Sequence, residues 1–138
     1  MRSLCIALTL LAAPATAWEF SAEPTCTVTD NTVPTALEMT FDGSVYTLTL
    51  THPEGWPPGA IFGISFAPNG PLIETDRHVI DGQDLTVSDS GFGNVLRGLE
   101  GNVIATALIS DVSRELDLTG AAPVIAQFRA CWPAVPST

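Results

Sequence analysis

The chain has 138 residues, 46% of them hydrophobic, and its fifteen carboxylates against five basic residues give a net charge of −10. Such a surface repels phosphate backbones and anionic bilayers, which sets nucleic acid and anionic membrane surfaces aside as partners. All five basic residues are arginines, so neither a G-x-x-x-x-G-K phosphate loop nor a Schiff-base lysine is available.

Residues 1–17 read as a cleavable secretory signal. Arg2 supplies the positive start, Leu4 to Ala13 the apolar stretch, and Ala15-Thr16-Ala17 the small residues a signal peptidase reads. The apolar run is about half the roughly 20 residues that cross a bilayer, and Cys5 lies far upstream of the position a lipoprotein cysteine would occupy. Cleavage after Ala17 leaves a single domain, 18–138, of 121 residues, with four arginines against fifteen carboxylates and a net charge of −11. The expected compartment is the periplasm or the exterior. No later stretch is long and apolar enough to serve as an integral membrane segment.

Removal of the signal takes Cys5 with it and leaves an even pair, Cys26 and Cys131. In an oxidising compartment such a pair reads as a disulfide, closing a loop of about 105 residues. A two-cysteine metal site would need histidine partners, and only His52 and His78 exist.

Strands are expected at 25–30, where Cys26 and Val28 alternate with threonines, and at 37–41 and 44–50 around Asp42-Gly43. A two-residue type I′ turn at Asp42-Gly43 pairs Phe41 with Ser44, Met39 with Tyr46 and Leu37 with Leu48, apolar opposite apolar. His52 to Gly59 is a rigid Pro-rich loop. Phe62, Ile64 and Phe66 share a face of a strand at 60–67. Pro68-Asn69-Gly70-Pro71 turns the chain into a strand at 72–80, and Asp81 to Asp84 turns it again into 85–87. Residues 102–110 and 113–118 are two further strands. Phe92, Val95, Leu96 and Leu99 fit a helical stripe near 92–99 with Ser90 or Asp89 as cap, against three glycines that weaken it. A C-terminal helix near 121–131, with Thr119 as candidate cap and Pro123 in its first turn, puts Val124, Phe128 and Cys131 on one face. Residues 133–138 form a frayed tail. The expected fold is mainly β: an antiparallel sandwich or barrel of seven to eight strands, two helices and one disulfide.

Few residues carry chemistry. If 75–80 is a strand, Asp76 and His78 share a face and the carboxylate orients the imidazole, the basis of a small hydrolase. No G-x-S-x-G elbow accompanies them. The aspartates at 76, 81, 84 and 89 lack the spacing of a calcium loop, and Asp81-Gly82 is explained as turn chemistry. Trp56, on its rigid loop, is either an exposed contact for a partner or a lid folded over the core. Arg97 and Arg114 read as internal salt-bridge partners. Gly91-Phe92-Gly93-Asn94 is no phosphate cradle. No cofactor and no metal are expected.

Trp18-Glu19-Phe20, Trp56-Pro57-Pro58, Thr75 to His78, Gly91 to Leu99 and Gly120 to Cys131 together resemble a group of small exported bacterial proteins of unknown role. Some of that group carry the label of an excinuclease ABC component. The residues here argue against a DNA-repair helicase, because there is no Walker lysine and the surface is anionic. The Leu118-Thr119-Gly120-Ala121 stretch with Phe128 and Cys131 is also similar to the invasion-associated locus B family, which implies an exported, β-rich protein and no particular chemistry. The functional expectation is an exported, non-enzymatic binding or accessory domain for a protein or small ligand, with the hydrolase through His78 and Asp76 as its alternative.

Overall fold

A computed structural model describes residues 17–131. The signal segment up to Thr16 and the expected tail at 133–138 lie outside the described residues. Ten strands form two antiparallel sheets. The first sheet contains β1 (Trp18–Ser21), β2 (Cys26–Asp30), β3 (Ala36–Phe41), β4 (Tyr46–Thr51), β8 (Asp84–Asp89) and β7 (Val79–Asp81), in that spatial order. The second orders β10 (Val112–Asp117), β9 (Ile104–Ile109), β5 (Phe62–Ala67) and β6 (Leu72–Thr75). The sandwich expectation therefore stands, with more strands than expected.

Alternation builds the core. Cys26 and Val28, Leu37 and Met39, Leu48 and Leu50, and Leu85 all face inward from the first sheet; Phe62, Ile64, Phe66, Ala105, Ala107 and Ile109 meet them from the second. Each large apolar side chain buried this way stabilises the fold by about 1.5–3 kcal/mol. The intervening positions carry hydroxyls, so Ser21, Thr27, Thr40, Thr47 and Ser88 form one cross-strand row on the outer face. Such β-branched residues suit a pleated, half-buried surface.

Three expectations need correction. The hairpin turns one residue later than Asp42-Gly43: the ladder pairs Phe41 with Tyr46, Met39 with Leu48 and Leu37 with Leu50. The Asp42 carboxylate accepts the N–H groups of Ser44 (2.9 Å) and Val45 (2.7 Å), and Asp42 N–H donates to the Val45 carbonyl at 3.2 Å. These bonds leave Gly43-Ser44 at the tip, with Gly43 at φ +100°. A shift of two residues in the pairing keeps every side chain on its expected face, which is why alternation alone did not locate it.

Residues 72–80 are two strands in different sheets, β6 and β7, joined by Asp76-Arg77-His78 crossing between them. The added strands are this split and β1.

The helices are α1 (Gly93–Gly101) and α2 (Ala121–Ala130). Neither expected cap is made: Phe92 precedes α1 with no side-chain cap, while Asp89 bonds Ser90 N–H instead. Gly120 at φ +84° precedes α2, and the Thr119 hydroxyl and N–H both donate to Asp117. Gly98 explains why α1 tolerates a mid-helix glycine, since a Cβ there would lie 2.4 Å from the Phe66 ring. The helices pack on each other and are linked by an Arg129–Glu100 ion pair. Val124, Ile125 and Phe128 of α2 are buried, and α2 lies against β1 and β2. Its end brings Cys131 to disulfide distance of Cys26, their Cα atoms 6.0 Å apart.

Candidate functional site

Trp56 takes the lid role of the two left open by the sequence. It is 7% exposed, and its indole N–H is shared between the carbonyls of Leu50 (3.1 Å) and Gln83 (3.0 Å). His52, also buried, meets the indole edge-on. The Arg114 guanidinium lies 4.5 Å from the indole centroid and donates to the Gly55 carbonyl. Arg114 thus serves a ring and a carbonyl rather than the expected carboxylate, and Arg97 bonds Asn94 rather than an acid. Gly55 holds φ +70°, and a Cβ on it would stand 2.8 Å from the Gly82 carbonyl oxygen, so the loop closes tightly over this end.

Asp76 and His78 fall on the crossing between the sheets, where no strand aligns them. Neither a hydrogen bond nor an ion pair joins them among the described residues. The imidazole Nε2–H donates to the Gly59 carbonyl at 2.8 Å, the ring packs near Phe62, and the buried Nδ1 has no partner. Asp76 is exposed. No serine hydroxyl is among the partners of His78. The four aspartates considered for calcium are spread out as well: Asp84 accepts the Thr51 hydroxyl at 2.7 Å and Asp89 accepts Ser90 N–H. Among the described residues no three acidic, histidine or cysteine side chains cluster as a metal site.

The concave feature lies elsewhere. Between β6 and β8, closed at one end by the turn into α1, a cleft of about 400 Å³ opens to solvent. Its floor is apolar: Leu48, Phe62, Ile64 and Phe92 are buried, and Ile73, Val87 and Val95 complete it. These residues follow from alternation, since Ile73 pairs with Ile64 and Val87 with Leu48 on inward faces. The cleft exists because β6 and β8 belong to different sheets and share no ladder.

The rim is polar and carries both signs. Glu74, Thr75, Ser88 and Asp89 offer acceptors; Arg77 and the uncapped first turn of α1 offer donors. Gly91 and Gly93 stand at the mouth, and a Cβ on Gly91 would meet no atom within 4 Å. The sequence named Asp76 and His78, the polar neighbours of this cleft, and missed the apolar residues that make it. The signal was there in the inward positions Ile73 and Val87, but nothing local says that two sheets part between them.

Scans of protein-family models, of curated proteins and of solved structures find no match to this chain. No helix among the described residues is long and apolar enough to cross a membrane.

Proposed function

We propose that this is an exported, non-enzymatic binding module that holds a small amphipathic molecule in the cleft between β6, β8 and α1. The observation that carries the reading is the apolar floor left open to solvent in a domain that seals its other end with Trp56. A concave apolar site with a few convergent polar groups is the usual form of a small-molecule site. The rim narrows the ligand class. Donors at α1 and Arg77 face acceptors at Glu74 and Asp89, which suits an apolar body ending in a dipolar group, such as an apolar amino acid or the end of an apolar peptide. The hydrolase alternative gains no supporting geometry, because His78 is committed to Gly59. The resemblance to small exported proteins is in keeping with the same reading.

The test uses an anilinonaphthalene sulfonate dye as probe, displaced by leucyl and phenylalanyl dipeptides. One dye per protein is expected, with binding abolished by Gly91→Leu while the melting temperature stays within about 2 °C, as for a substitution into open space. Dye binding that is indifferent to Gly91→Leu, or that no dipeptide displaces, would overturn the proposal.

A further inference from the structure

Asp30 is the one described carboxylate that is fully buried, at 0% exposure. Its Oδ1 accepts the Thr32 N–H at 3.0 Å and the Thr32 hydroxyl at 2.5 Å, but its Oδ2 is buried without a partner. A buried carboxylate left half satisfied is costly, and such an orphan calls for an explanation. The described arginines do not supply one. Arg97 bonds Asn94, Arg114 bonds Gly55, Arg129 pairs with Glu100, and Arg77 stands at the cleft mouth. The chain has no lysine.

Among the described residues a further cation is chemically latent. Asp30 sits directly opposite Trp18 in the β1–β2 ladder. The Asn31 N–H to Ala17 carbonyl bond of 3.4 Å makes this a non-hydrogen-bonded pair, the kind whose Cα atoms lie about 4.5 Å apart with side chains closest. Trp18 is also the residue at which the signal is expected to be cut. Hydrolysis of the Ala17–Trp18 bond by a signal peptidase consumes one water, leaves a carboxylate on the departing Ala17 and frees an amine on Trp18. That amine is mostly protonated near neutral pH.

We infer that this cut completes the fold: the new Trp18 ammonium, set opposite Asp30 in the ladder, pairs with its orphaned oxygen. The Trp18 indole, buried and donating to the Asp117 carbonyl at 3.1 Å, holds the residue beside Asp30, and cleavage gives its nitrogen three charged donors where the peptide had one N–H. The uncut chain then leaves that buried oxygen without a partner, and the cut chain does not. The inference rests on the export reading but is independent of what the cleft binds.

The experiment compares the chain beginning at Trp18 with one retaining Ala15-Thr16-Ala17; all described strands and helices lie in both. In the form beginning at Trp18, Asp30→Asn is expected to lower the melting temperature by about 5–10 °C, as for breaking a buried pair. In the extended form the same substitution lowers it by less than half as much. Acetylating the Trp18 amine of the wild-type protein reproduces most of the loss, so the inference stays testable even where Asp30→Asn does not fold. An equal effect of Asp30→Asn in both forms, or no effect of acetylation, overturns the pairing. N-terminal sequencing of exported material separates the two readings. A start other than Trp18 removes the export cut and with it the natural latch, whatever the melting data show.

Discussion

At one end of the sandwich the indole of Trp56 is set between the sheets, its N–H bonded to the Leu50 and Gln83 carbonyls and its face covered by Arg114. At the other end, Phe41 and Phe92 stack on Tyr46 and Phe128 tilts against it, and beside them a cleft of about 400 Å³ stays open. Both ends use aromatic rings, an arginine and glycine-bearing turns. They differ in whether the space between the sheets is filled by the chain itself. The Trp56 indole closes its end with its own donor and face both engaged; the cleft end leaves the first turn of α1 uncapped beside an apolar floor. Ligand recognition is expected to reside in the second and not in the first.

The largest expected effect belongs to the disulfide, which ties the open end together: Cys26 pairs with Phe41 there and Cys131 follows α2. Closing 105 residues stabilises by about 4–5 kcal/mol in the chain-entropy model. Replacing both cysteines by alanine should lower stability by roughly that amount in urea unfolding, and the native protein should show no titratable thiol. Two reactive thiols in native exported material would break the stapled-domain argument.

Trp56→Ala comes next, with an expected loss of about 3–4 kcal/mol, since it leaves a cavity and two carbonyls without their donor. Dye binding at the cleft should survive it. Loss of binding at constant fold would show the two ends to be coupled. Arg114→Ala removes one cation–π contact and one charged donor to Gly55, with an expected loss of about 1–2 kcal/mol. Arg114→Lys should recover little of it, because a point charge does not lie flat on an indole.

Much of the fold was legible because a period of two survives in single sequences: the inward sets of β2, β3, β4 and β5 were all readable. Pairing the two cysteines needed only the count and the expected compartment. The cleft was not legible, since its floor is made of inward residues like any others and its existence depends on β6 and β7 parting into different sheets. Arg77 and His78, read as part of one strand, are the crossing itself. Asp30 was also missed. On alternation it belongs with Cys26 and Val28, and a buried aspartate at such a position was the local anomaly to notice.

The smallest expected effect concerns the hairpin tip at the cleft end. The N–H groups of Val45 and then Ser44, bonded to the Asp42 carboxylate, hold its pKa below the ordinary 3.8. Asp117 is held low in the same way by the Thr119 hydroxyl and then the Thr119 N–H. A carboxyl whose pKa is lowered on folding contributes stability that is fully present above its unfolded value and is lost as pH falls through the folded one. Asp42 is fully solvent-exposed, so the contribution is small. Asp42→Ala should lower the melting temperature slightly at pH 7, and the gap from wild type should close between about pH 4 and pH 2. A gap that persists unchanged at about pH 2 would mean that Asp42 fixes the turn by its shape rather than by its charge.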